Sequence, residues 1–223
     1  MDESMHNIEI RNVEAKDIPM IKEVIAKVWN WTDLIEDNQT LDAVVGIYLN
    51  QVLYEATFGR VAVLNNKVVG VIFGSVDGIE PKYRMLLENC TNHTLTLLAA
   101  SESDRINTFE YLSKLSITYQ ELISDYIDNY DGTLDFLVLS KESHGLGIGK
   151  SLWMALKSYF DENNAKSIYL YSDVECNYGF YEHFGFARKA EKEVIFKFNE
   201  EDYKMNIFLY DIAIPIDINT FTC

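Results

Sequence analysis

The run His144-Gly-Leu-Gly-Ile-Gly-Lys150 sets glycines at alternate positions directly ahead of an apolar helical repeat. Glycine lets the backbone come within reach of a ligand. The start of a helix supplies unpaired N–H groups at the positive end of its dipole. Together these features predict an anion site suited to phosphate or pyrophosphate. Lys150 adds a cation that either pairs with the phosphate or stays solvated. Two established phosphate motifs fail here by position. A P-loop needs glycine five residues before Gly149-Lys150-Ser151, where this chain has His144. The dinucleotide fingerprint G-x-G-x-x-G ends on Lys150 when started at Gly145, and on Leu152 when started at Gly147.

The elements that must hold this turn are legible on either side of it. Leu134, Phe136, Leu137, Val138 and Leu139 form a near-continuous apolar run, which predicts a strand covered on both faces. Leu152, Ala155, Leu156, Tyr159 and Phe160 recur at helical spacing after the turn. Upstream, Ile8 and Ile10 alternate as a short strand. Asp17 offers a helix cap and Pro19 fits the first turn, while Ile21, Val24, Ile25 and Val28 give a helical period. A second helix is expected over 40–57, and Trp29 and Trp31 in the loop between the two read as packing aromatics, with the lining of a substrate pocket as the alternative. Val61–Leu64, Asn65-Asn66 and Lys67–Ser75 spell a β-hairpin. Residues 77–130 turn helical again, with one helix expected around Tyr83, Leu86, Leu87 and Cys90 and another ending near Tyr119–Tyr126. This segment reads as a helical insertion that serves as lid, pocket wall or dimer surface. Its His93 reads as structural or exposed. Ser167–Val174 follows as a strand, then a short helix closed by Gly185, then strands near 187–198 and 206–214.

Composition narrows the partners. With 223 residues, 48% hydrophobic residues and three prolines, the chain predicts one compact domain over 1–223. Acidic residues outnumber basic ones 35 to 19, for a formal charge of −16. Such a surface disfavours nucleic acid and anionic membranes and favours cationic amines. The three cysteines, Cys90, Cys176 and Cys223, have no metal-ligand spacing, so no metal is expected and reduced thiols are the simplest reading. The polar, acidic N-terminus does not resemble a secretory leader, and no apolar run approaches a membrane span, so a cytoplasmic location is expected.

The glycine turn resembles the Arg/Gln-x-x-Gly-x-Gly/Ala element of the GNAT superfamily of acyl-CoA N-acyltransferases, with His144 in place of Arg/Gln. The segment Asn177-Tyr-Gly-Phe-Tyr181-Glu-His-Phe-Gly185-Phe186 resembles the same family's N…(F/Y)Y-E-x-x-GF element. The first strand and helix and the closing hairpin also fit, so the resemblance covers most of the chain outside 77–130. The resemblance implies a mixed α/β (α+β) fold: a twisted, mostly antiparallel sheet of six or seven strands, flanked by helices. It implies that backbone groups of Gly145, Gly147, Ile148, Gly149, Lys150 and Ser151, with the His144 side chain adding little charge, hold the coenzyme A pyrophosphate. The pantetheine arm would then pair with Leu137, Val138 and Leu139, and Asn177 would contact the cofactor or cap its helix.

The activity implied is transfer of an acetyl group from acetyl-CoA to a primary amine of a small molecule or peptide, by direct attack in a ternary complex. Tyr181 matches the family tyrosine that protonates the leaving thiolate. For the base, Asp135, Asp173 and Glu175 all lie on or at the ends of the central strands, and the choice among them stays open. Cys176 has no activating base nearby in sequence, which weighs against an acyl-enzyme. The alternatives are a non-catalytic acyl-CoA-binding module on the same scaffold and a P-loop nucleotide binder, the latter disfavoured by His144.

Overall fold

The alternating apolar pattern at the N-terminus becomes strand β1 (Ile8–Asn12) in the computed structural model, which describes residues 8–35, 37–198 and 201–214. Two compact units are built from this chain. One comprises the chain up to Leu98 with Leu134–Tyr159; the other comprises Ala99–Thr133 with the chain from Phe160 onward.

In the first unit, β1 pairs antiparallel with β2 (Phe58–Leu64), and β2 with β3 (Lys67–Val76). Asn65 and Asn66 turn that hairpin with φ of 49° and 64°, as a two-residue turn matched to strand twist requires. Beside β3 runs β4 (Gly132–Leu139). Helix α1 (Ile18–Val28) buries Ile21, Val24 and Ile25, whereas Val28, expected on the same face, is exposed at the helix end. Pro19 sits in its first turn as expected, but the Asp17 carboxylate does not cap α1. It takes two bonds of 2.7 Å from Arg11 and one of 2.9 Å from the Glu14 N–H, closing the turn before the helix instead. Helix α2 (Trp31–Leu34) is a single turn, and α3 (Asn38–Glu55) is capped by Asp37, which accepts from the Thr40 N–H at 2.7 Å.

The helix expected at 83–90 is a short 3-10 turn, Arg84–Leu86. Tertiary bonds override the local period there. The Tyr83 hydroxyl donates to the Gly59 carbonyl at 3.0 Å, while Asn50 both donates to the Glu88 carbonyl and accepts from its N–H. The helix forms one step later as α4 (Cys90–Ala99). Lys22, 6% exposed, pairs with Asp42 at 2.7 Å and Glu88 at 2.8 Å, and Glu88 reaches His93 at 3.1 Å. The His93 ring lies against Gly46 of α3, where a Cβ would come within 2.6 Å of it. His93 is therefore a structural clasp.

In the second unit, β5 (Ser167–Asp173) runs parallel to the start of β4, with Gly132 opposite Ile168 and Thr133 opposite Tyr169. Strand β7 (Glu201–Ala213) pairs antiparallel with both β5 and β6 (Ala187–Phe198), close to the bounds expected. Helix α5 (Glu102–Ile123) buries Leu115 and Leu122 against Phe196, Ile207 and Leu209, so this part of the insertion is core rather than appendage. Its Tyr119 ring stacks on Tyr171 at 4.1 Å, and the Tyr171 hydroxyl donates to the Tyr119 carbonyl at 2.8 Å. The strand order is β1-β2-β3-β4-β5-β7-β6, a mixed α/β fold whose seven-stranded sheet is antiparallel except at β4–β5 and is flanked by helices.

Candidate active site

The glycine turn begins where β4 ends. The Ser140 N–H donates to the Val69 carbonyl at 2.8 Å, and the Ser143 hydroxyl donates back to the Ser140 carbonyl at 2.7 Å, pinning the exit from the strand. Gly145 and Gly147 then adopt φ of +75° and +70°, and a Cβ at either would meet nothing within 4 Å. Conformation, not crowding, selects glycine at both positions, and the space beside them is open. Helix α6 (Ile148–Glu162) follows, and its Ser151 N–H donates to the Gly147 carbonyl at 3.0 Å. Among the described residues, no backbone acceptor meets the N–H groups of Gly145, Gly147, Ile148, Gly149 or Lys150. His144, Lys150 and Ser151 are exposed, and the Ser151 hydroxyl is spent on the Gly147 carbonyl at 3.2 Å. A row of free donors on an open turn at a helix start fits a phosphate or pyrophosphate.

Strand β4 departs from the expectation of cover on both faces. Leu134, Phe136 and Val138 are buried, but Thr133, Asp135, Leu137 and Leu139 are only half-buried. Its parallel ladder to β5 pairs Gly132 with Ile168 and Thr133 with Tyr169. On the half-buried face, Ser75 donates a short hydrogen bond to Asp135 and also reaches the Glu55 carbonyl at 3.1 Å. Burial pushes the Asp135 carboxyl up to about 7; the Ser75 bond opposes this and the Glu55 charge adds to it. Ser75 lies 60 residues from Asp135, and no spacing in the sequence signalled the pair.

The other candidates sit at the end of β5, in the second unit. Asp173 accepts from the Glu175 N–H at 2.8 Å and the Cys176 N–H at 3.0 Å, reversing the chain into α7 (Gly179–His183). The N-cap expected at Asn177 falls on Tyr178, and exposed Asn177 contributes only its carbonyl, which accepts from the Phe180 N–H at 3.0 Å. Gly185 closes the helix with φ of +91°, as expected of a C-terminal cap. Tyr181 is 9% exposed and its ring lies 5.8 Å from that of Phe186. Burial, then Cys176 and Asp173, pushes the Tyr181 phenol well above its ordinary value. Burial and the adjacent Asp173 push the Cys176 thiol up to about 12, so it is protonated and a poor nucleophile at neutral pH. Glu175 is exposed and accepts from the Tyr203 hydroxyl at 2.8 Å.

Within the first unit, the half-buried face of β4, which carries Asp135, leads directly into the glycine turn with its free N–H groups. Within the second, a turn and one short helix carry Asp173, Asn177 and Tyr181. Trp29, Trp31, Tyr48 and Phe136 pack against one another with centroids 4.8 to 6.2 Å apart, as packing residues do. Among the described residues, no three His, Cys, Asp or Glu side chains converge as a metal site, and no helix is long and apolar enough to cross a membrane. Cys223 lies outside the described residues.

Comparison with known proteins gives the same direction. The chain matches the acetyltransferase (GNAT) family over residues 25–186. No curated protein sequence matches it. Among solved structures, smu.2055 from Streptococcus mutans UA159 is similar at TM-score 0.52 and 13% identity, covering 93% of this chain and 99% of that one. An N-acetyltransferase from Staphylococcus aureus Mu50 matches at TM-score 0.52 and 12% identity, covering 94% and 99%. The ribosomal-protein-S18-alanine N-acetyltransferase from Escherichia coli matches at TM-score 0.51 and 10% identity, covering 97% and 99%. At such identities these structures share the fold.

Proposed function

Because the chain belongs to the acetyltransferase (GNAT) family, we propose that it transfers an acetyl group from acetyl-CoA to a primary amine of a small molecule or peptide. The observation that carries this reading is the set of N–H groups of Gly145, Gly147, Ile148, Gly149 and Lys150 that no backbone acceptor meets among the described residues, beside open space at two left-handed glycines. Those groups hold the pyrophosphate, with Lys150 as a flanking cation and His144 beside the turn. Leu137, Val138 and Leu139 offer strand groups to the amide-bearing arm, and Asn177 adds a polar contact. Acetyl-CoA supplies an activated thioester carbon and a thiol leaving group.

Asp135 removes a proton from the acceptor ammonium, for which a carboxyl titrating near 7 is suited at neutral pH. The C–N bond forms as the C–S bond breaks, Tyr181 passes its phenol proton to the departing sulfur, and the second proton shed by the acylated nitrogen returns through solvent to the Tyr181 phenolate. Burial keeps that phenol protonated until the sulfur takes the proton, and the Asp173 charge reinforces it. Asp173 thus serves the acid and shapes its turn, while Asp135 serves the amine. The protonated Cys176 favours direct attack over an acyl-enzyme.

Calorimetry with acetyl-CoA and with ATP–Mg, followed by a panel of polyamines, aminoglycosides, amino acids and peptides read by thiol release, tests the reading. Acetyl-CoA binding with amine-dependent thiol release is expected. ATP binding without acetyl-CoA binding overturns it, and acetyl-CoA binding without release by any amine points to a binding module.

A further inference from the structure

Helix α7 is five residues long, too short to fix its own direction through internal hydrogen bonds. Something outside it must do so, and the side chain next to Tyr181 shows what. Glu182 accepts from the Tyr210 hydroxyl at 2.7 Å. That hydroxyl accepts in turn from Arg188 Nη2 at 2.8 Å and Nε at 3.1 Å. With one bond donated and two accepted, the Tyr210 oxygen is saturated. Tyr210 is fully buried, and its ring lies 6.4 Å from that of Tyr181. The guanidinium is itself held, 3.8 Å over the Phe208 ring and bonded to Glu191 at 3.1 Å. A chain of charge-assisted bonds therefore runs from β6 through β7 to α7. It grips the residue adjacent to the candidate acid, and adjacent helical side chains keep a fixed angular relation.

We propose that Arg188 and Tyr210 are positioning residues that, acting through Glu182, aim the Tyr181 phenol so that its proton reaches the leaving sulfur. The O–H bond of Tyr181 breaks as the S–H bond of the thiol forms, and misdirection by a fraction of an ångström slows that transfer without weakening cofactor binding. The inference rests on Tyr181 being the acid in the function proposed above.

The test compares Tyr210→Phe and Arg188→Met, alone and combined with Tyr181→Phe, using acetyl-CoA and the most active amine of the panel. Tyr210→Phe keeps the ring and loses the bridging oxygen; Arg188→Met keeps apolar contact with Phe208 and loses the donors. Each is expected to lower kcat roughly tenfold with KM for acetyl-CoA within about twofold. In the Tyr181→Phe background neither lowers kcat further, because the group being aimed is gone. A purely structural role predicts losses that multiply. Both single-variant losses should also shrink with an acetyl thioester of an acidic aryl thiol, which leaves without a proton donor. If Tyr181→Phe retains parental turnover, the acid assignment itself fails and the inference falls with it. If Tyr181→Phe is impaired but the other losses multiply with it, or Tyr210→Phe and Arg188→Met match the parent, the positioning role is overturned and the acid assignment stands. Thermal melts identify any variant that fails to fold, in which case the other carries the test. Absence of thiol release with every amine overturns the transfer reading and this inference together.

Discussion

Burial of the Asp135 carboxyl has two consequences that pull in opposite directions. In its proposed role as base it must be ionised, so kcat/KM should fall about tenfold per pH unit below about 7, and Asp135→Asn should remove that limb while lowering kcat roughly 10² to 10⁴-fold. Stability moves the other way. Between the ordinary value of 3.8 and the folded value of about 7, the folded state keeps a proton that the unfolded state has released. This group's contribution to stability therefore declines as pH rises through that window, and above it the buried charge is a standing penalty. Asp135→Asn should accordingly raise the melting temperature at pH 8 and leave it nearly unchanged near pH 4, which a pair of thermal melts checks. The aspartate was a candidate from its place on the central strand, but the perturbation was not legible, because Ser75 and Glu55 reach it only through the fold. The same holds for Arg188, Tyr210 and Glu182, whose partners lie 22 and 28 residues apart in sequence.

Between β4 and α6, Gly147→Ala would meet no neighbour yet would force a left-handed alanine, at a cost of about 1 to 2 kcal/mol. Relaxation of the turn should then weaken acetyl-CoA binding severalfold in calorimetry, with the melting temperature lowered by a few degrees. Gly46→Ala acts by crowding instead. Its Cβ would lie 2.6 Å from His93 Nε2, so the ring must leave α3 and the clasp to Glu88 and Lys22 must rearrange. Hydrogen exchange should accelerate across α4, where Leu97 is the one buried side chain, and stay slow in α1. The strands and α1 were readable because their periods are local and their turns carry residues with a mechanism, such as Asn65-Asn66. The helix at 83–90 was misread because Tyr83, Leu86, Leu87 and Cys90 do keep a helical period, which distant Gly59 and Asn50 overrule. The cover on β4 was overestimated for a related reason: a run of leucines and valines cannot say whether protein or ligand lies against its second face.

At the scale of the whole molecule, a formal charge of −16 should attract a cationic acceptor. Screening extends over about 10 Å at 0.1 M salt, so added sodium chloride should raise KM for a polyamine more steeply than for a monoamine, in a steady-state salt series. Strand order has a different bearing, on how the protein comes to exist. Strand β7 is made after β5 and β6 and lies between them, so the second unit is completed from its middle rather than its edge. During synthesis β5 and β6 wait with open edges until β7 emerges, and open edges recruit other chains. A chain stopped at residue 198 should therefore collect in the insoluble fraction of a cell lysate while the full chain stays in the supernatant. The second unit is most exposed to aggregation in the interval between the making of β6 and the making of β7.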